Sequence, residues 1–236
     1  MLELSKQKLL IIAPHPDDEV IGCGGMIKKI KEAGGRVYVL FLTVGDTRDF
    51  TKKGLSTAKE RGTEIKKVAK YLKYDDYELV FAGNDFHLKL DLLGQKKLMD
   101  VIERESRVSL EAVSPTVVAF PSPISYNQDH RTTALAAHAA LRPAAQNRKH
   151  FVKTVLSYES PADIWNTKNE FEPNFFVPLS RSELQAKIRA LKLYKCQLRD
   201  LPNLRSPKTL FDLAAIRGAL FGCELAEAYK IWRVGL

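Results

Sequence analysis

The chain has 236 residues, 45% of them hydrophobic and 28% charged, with a net charge of +9. That is material for one sizeable globular core and excludes a disordered or low-complexity chain. The longest wholly apolar runs are too short to span a bilayer.

Short apolar runs alternate with longer amphipathic ones. "KLLIIAP" (8–14) predicts a buried strand, and 18–34 a helix ended by Gly34-Gly35. "RVYVLFLTV" (36–44) is a second strand, followed by a loop with Gly45, Asp46 and Asp49. Residues 57–73 place Ile65, Val68, Ala69 and Leu72 on one helical face. "ELVFAG" (78–83) is a third strand, 93–112 a helix, and "TVVAFPS" (116–122) a fourth strand stopped by Pro121 and Pro123. The alanine-rich stretch 129–141 predicts a helix closed by Pro143. "TVLSYE" (154–159) and "NFFVPLS" (174–180) read as strands, and 181–198 and 207–222 as helices. Strand–helix alternation with continuously apolar strands means an α/β fold, a mostly parallel sheet covered on both faces. "GCGG" (22–25) has the wrong spacing for a dinucleotide loop and lies inside the first helix.

The first strand runs straight into "PHPDDE". Ligands of open parallel sheets bind beyond the carboxyl ends of the strands, and His15 to Glu19 fall there. Pro14 and Pro16 hold the backbone around His15 extended. One carboxylate is explained as the cap of the next helix; a histidine and a second carboxylate are not. The pattern recurs after the fourth strand, where "NQDH" brings Asp129 and His130 to the opening of another helix. Two imidazoles and a carboxylate are a zinc-type donor set, with a place left for water. His15, Asp18 and His130 supply it. Asp17 is then left to face that water, the arrangement for general-base attack on a carbonyl.

These motifs resemble the LmbE/PIG-L family of metal-dependent N-deacetylases. "RGTEIKKVAKYL" from Arg61 is similar to the family's R-x-x-E-x-x-x-A-x-x-L helix, and "GNDFHL" to its aspartate-bearing loop. "KIRALKLYKCQ" and "RGALFGCELAEAY" resemble its C-terminal helices. The resemblance covers most of the chain. It implies a Rossmann-like three-layer fold forming a single deacetylase domain over 1–236. It also implies zinc or another divalent metal on His15, Asp18 and His130, and Asp17 as base and then acid. The implied substrate is an N-acetylated amino sugar or its conjugate, held by Arg61 and Asp85, with Arg48 a further candidate. The family's second motif reads H-x-D-H, its first histidine stabilising the oxyanion. Here Asn127 stands in that place, so Asn127 or the neighbouring Tyr126 takes the role, and Asp129 is expected to orient His130.

The remaining features carry less. A phosphoesterase needs two ions and more ligands than these motifs supply. A non-catalytic sugar-binding module has only Asn127 in its favour. The positive charge favours an anionic substrate, yet pairs such as Lys52-Lys53 read as solvated faces, and no nucleic-acid motif is present. Cys23, Cys196 and Cys223 read as buried, reduced thiols, and "MLELSKQKLLIIAP" lacks a signal peptide's apolar core, so the expectation is a cytoplasmic protein. His87, after the third strand, reads as a loop residue ahead of a pocket-lining one, His138 as a helix histidine and His150 as surface. Trp165 reads as a lid aromatic or a loop anchor, while Glu227 and Tyr229 match a family pattern that helix packing also explains. Assembly into a homo-oligomer is left open.

Overall fold

Alternation along the first strand decides which layers form. In β1 (Lys8–Ala13), Leu9, Ile11 and Ala13 join one apolar cluster while Leu10 and Ile12 join the cluster on the opposite face. In β2 (Arg36–Val44), Val37, Val39 and Phe41 face the first cluster, and Leu40 and Leu42 the second. Strands apolar on both faces must be covered on both. The computed structural model describes residues 3–48, 54–145, 149–165 and 171–235. Asp49, Lys52 and Lys53 lie outside them.

The further strands are β3 (Thr47–Arg48), β4 (Leu55–Ser56), β5 (Asp76–Ala82), β6 (Val117–Pro121), β7 (Thr154–Tyr158), β8 (Phe175–Pro178) and β9 (Ala226–Arg233). The main sheet has seven strands in the order β5-β2-β1-β6-β7-β9-β8, and β3 and β4 form a separate antiparallel pair. The first five are parallel to one another; β9 runs antiparallel to both β7 and β8.

The α-helices are α1 (Asp18–Glu32), α2 (Ala58–Leu72), α3 (Gly94–Asp100), α4 (Leu110–Val113), α5 (Gln128–Ala140), α6 (Arg181–Leu193) and α7 (Pro207–Phe221). Residues of α1, α2, α6 and α7 line the first cluster, and residues of α3, α4 and α5 the second, giving three layers. The glycines in α1 let it lie close to its neighbours. A Cβ on Gly22 would sit 2.4 Å from the Tyr158 ring, and one on Gly24 2.7 Å from Lys187 Cγ.

Two expectations need correction. The helix expected over 93–112 is interrupted: α3 runs into a π-helical turn at Val101–Glu105 and the chain re-forms as α4. The segment "AEAY", expected to lie in a C-terminal helix, opens β9. Its Ala and Glu favour a helix, but Ala226 to Tyr229 are buried between β7 and β8, and burial overrides propensity. Among the cysteines Cys23 alone is fully buried; Cys196 and Cys223 are half-buried, and all three are free thiols.

From β1 the chain crosses to β2 on one side, while β6 pairs on the other. The loops leaving β1 and β6 therefore diverge, and the crevice between them is where this architecture binds ligands.

Candidate active site

The turn after β1 is closed by its own side chain. Asp18 Oδ2 accepts from the His15 backbone N–H at 2.9 Å, and the Asp18 N–H donates to the His15 carbonyl at 3.3 Å. Asp17 holds the N-cap position of α1 but makes no side-chain cap; its backbone is left-handed, φ 103°. A capping role therefore does not explain it. Such a conformation in a residue with a Cβ costs about 1–3 kcal/mol and persists where surroundings enforce it. Glu19 does so: its Oε2 accepts from the Asp17 N–H at 3.1 Å, while the hydroxyls of Tyr194 and Tyr74 donate to Oε1 at 2.6 and 3.1 Å. Burial pushes the Glu19 carboxyl up to about 8.

The other half of the site comes from the start of α5. Asn127 Oδ1 accepts from the Asp129 N–H at 2.9 Å and caps the helix. This turns His130 inward, so that its Nε2 lies 3.2 Å from Asp18 Oδ2; His15 Nδ1 lies 3.4 Å from the same oxygen. All three residues are buried. Two donors bound tetrahedrally to zinc lie about 3.4 Å apart, so these spacings fit a shared ion. Within the described residues, this is the group whose ligand atoms could share a metal ion.

Asp129 does not orient His130, as expected from the sequence. Its Oδ2 accepts from His15 Nε2 at 2.9 Å, and its Oδ1 from the Leu90 N–H at 3.0 Å. The capped first turn points Asp129 across the crevice to the other loop. His15 Nε2 is thereby held as the donor, which leaves Nδ1 free to bind an ion. His130 Nδ1 is buried without a hydrogen bond among the described residues.

The electrostatics divide the two neighbouring aspartates. Burial pushes Asp18 up, but the charges and hydrogen bonds of His130 and His15 outweigh it and hold the carboxyl well below its usual range. Burial and the Asp18 charge raise Asp17, against the pull of Arg205 and Arg61. Asp17 Oδ2 is buried, 3.5 Å from Arg205 Nη1, with no hydrogen-bond partner among the described residues.

Arg61 is buried beside the site, its Nη1 donating to the Gly45 carbonyl, Thr47 Oγ1 and His87 Nε2 at 3.3, 3.1 and 3.2 Å. His87, read from sequence as a loop residue, is buried here, its ring edge-on to His15 with centroids 5.5 Å apart. Burial, with the His15 and Arg61 charges, lowers it to about 4. Asp85 and Arg48 are exposed. Tyr126 is 53% exposed and Trp165 78%, so Trp165 is not a buried anchor. Sequence reading missed Arg205, which sits in a loop without periodicity. It also missed Asp163, a buried carboxyl beyond the end of β7 that burial raises to about 6 while the charge of His130 pulls it down.

A mostly parallel open sheet with a carboxylate–imidazole cluster at its switch point makes this a Rossmann-like protein with a candidate metal site. Residues 10–141 match the PIG-L family, described as GlcNAc-PI de-N-acetylase, and the chain belongs to that family. It is 29% identical over 233 residues to a diacetylchitobiose deacetylase of Thermococcus kodakarensis, covering 95% of this chain and 82% of the relative. The fold matches the N,N'-diacetylchitobiose deacetylase of Pyrococcus horikoshii with a TM-score of 0.71 at 22% identity, over 95% of this chain and 83% of that one. It also matches GalB, a 4-carboxy-2-hydroxymuconate hydratase of Pseudomonas putida, with a TM-score of 0.67 at 18% identity over 98% of both chains.

Proposed function

We propose that this protein hydrolyses the acetamide of an N-acetylated amino sugar, using one divalent metal, zinc in the first instance, held by His15, Asp18 and His130. The observation that carries this reading is a buried carboxylate oxygen without a hydrogen bond, on Asp17, beside three metal-type donors. The bound ion supplies Lewis acidity to the acetamide carbonyl and to the attacking water.

Asp17 takes a proton from that water. The oxygen–carbon bond forms as the carbonyl electrons move onto the carbonyl oxygen. Asp17 returns the proton to nitrogen as the carbon–nitrogen bond breaks. Acetate and a sugar ammonium leave, the second proton of the water going with the amine. The raised affinity of Asp17 for protons suits both transfers. Asp129 fixes the His15 tautomer. The amide nitrogen of Asn127 or the Tyr126 hydroxyl donates to the carbonyl oxygen, the Asn127 oxygen being committed to the helix cap. Arg61, with the exposed Asp85 and Arg48, forms the sugar side of the crevice.

Residues 10–141, the family match, include every one of these positions. The Thermococcus relative is a deacetylase of an N-acetylated disaccharide, which supports the same substrate class here. The net charge favours a substrate bearing an anionic group. No helix among the described residues is long and apolar enough to cross a membrane; with three free thiols, a reducing compartment such as the cytoplasm suits the chain.

The test is acetate release from a panel of N-acetylated sugars, N-acetylglucosamine and N,N'-diacetylchitobiose among them. It is run on metal-stripped protein with and without added zinc. Zinc-dependent release from at least one sugar is expected. Bound metal without release from any would leave a binding module as the better account, and two ions per chain a phosphoesterase.

A further inference from the structure

In the deacetylase reading the bound ion takes part of the charge that develops on the carbonyl oxygen, and the turn before α5 adds no cation to it, since Asn127 is neutral. The charges of Arg61 and Arg205 both act on Asp17. Arg61 is buried, its Nη1 shared among the Gly45 carbonyl, Thr47 and His87. Arg205 is not. Among the described residues its side-chain hydrogen bond is the one from Nη1 to Gln197 Oε1, at 2.6 Å. Its side chain is 37% exposed, so it reaches the crevice from the solvent side. It stands 3.5 Å from Asp17 Oδ2, an approach without hydrogen-bond geometry.

The loop that carries it is rigidly anchored. Ser206, the next residue, caps α7 through Thr209 N–H at 3.1 Å, and Thr209 Oγ1 donates back to the Asn203 carbonyl at 3.1 Å. Asn203 Oδ1 accepts from the Arg205 N–H at 2.9 Å, and Gln197 is buried. A partly exposed guanidinium held at one nitrogen beside the base is arranged to receive an oxygen anion. Pre-set donors of this kind act without reorganisation as charge develops.

We propose that Arg205 is a catalytic residue that contacts the acyl oxygen of the substrate and supplies the positive charge absent at Asn127. The inference rests on the deacetylase reading. It also makes Arg205 the binding group for the departing acetate, which carries the same oxygens. The ion pair with Asp17 is then the resting arrangement that the substrate oxygen replaces.

The experiment uses zinc-loaded full-length protein, R205A, R205Q and R205K, with N,N'-diacetylchitobiose and, separately, sodium acetate. Zinc content is expected to be unchanged in all variants. Turnover falls about 100-fold in R205A and R205Q, in kcat rather than KM, and is partly retained in R205K. Added guanidinium at sub-denaturing concentration restores turnover in R205A and does nothing for the wild type. Acetate affinity by calorimetry drops about tenfold in R205A and R205Q. Undiminished kcat, or acetate affinity equal to wild type in variants that keep their zinc, overturns the proposal. Absence of acetate release by the wild type itself sinks the deacetylase reading instead, and acetate calorimetry still decides the role of Arg205.

Discussion

Asp17 and Asp18 are adjacent in sequence and opposite in behaviour. Asp18 is tied to two imidazoles and to the His15 N–H, while Asp17 is turned out of the helix by a left-handed backbone, its Oδ2 left without a hydrogen bond among the described residues. Asp17→Asn keeps the shape and the metal donors but removes the proton acceptor. It is expected to retain metal stoichiometry while kcat falls about 100-fold or more; the paired readouts are elemental analysis and acetate release. His130→Ala acts on the other property. It removes one of three donors, so the stoichiometry measured after dialysis against buffer falls toward zero. That His15, Asp18 and His130 gather at one edge of the sheet was legible, because two prolines and two strand ends announce them. The partner of Asp129 was not. That bond joins residues 114 positions apart and depends on how α5 is rotated about its capped start. Arg205 escaped for a related reason: a lone cation in a loop has no period, and only the packing of α6 and α7 brings it to Asp17.

At the scale of elements, α1 shows how a weak helix sequence is made necessary. Its glycines oppose helix formation, yet the helix must lie flush against the Tyr158 ring and the Lys187 stem. Gly22→Ala improves local propensity but forces a methyl group into that ring. It is expected to destabilise the fold by about 1–3 kcal/mol, read as a lower denaturant midpoint at unchanged slope. β1, β2, β6 and β7 could be read from their apolar runs, because they are buried on both faces. β9 could not, since Ala, Glu and Lys give it the composition of a helix and only its place between β7 and β8 makes it a strand.

At the scale of the whole molecule, two conditions govern stability. The first is pH. Glu103 is buried in the π-helical turn beneath Arg104, Arg142 and Lys149, with Lys149 Nζ at 2.6 Å. Burial works against its charge, but Lys149, Arg104 and Arg142 prevail and bring the carboxyl from its ordinary 4.5 down to about 2. A depressed folded-state value means that the contribution is fully present above about 4.5 and is lost as pH falls toward about 2. Glu103→Gln is expected to flatten the acid dependence of the melting temperature in that window and to lower stability at neutral pH. The second is the proposed metal. An ion bound only by the folded chain at about 1,000 times its dissociation constant adds about 4 kcal/mol, an upward shift in melting temperature of about 10 °C that a chelator reverses.

Because β1 lies between β2 and β6 in the sheet, the two arms of the cluster belong to chain segments synthesised well apart. A ribosome that has delivered the first βαβ unit has exposed His15 and Asp18 with no second imidazole to complete the grip. On the proposed metal assignment, tight capture of an ion would wait until β6 has docked beside β1 and α5 has formed, and zinc retained through gel filtration would report a chain whose early and late halves have joined in register.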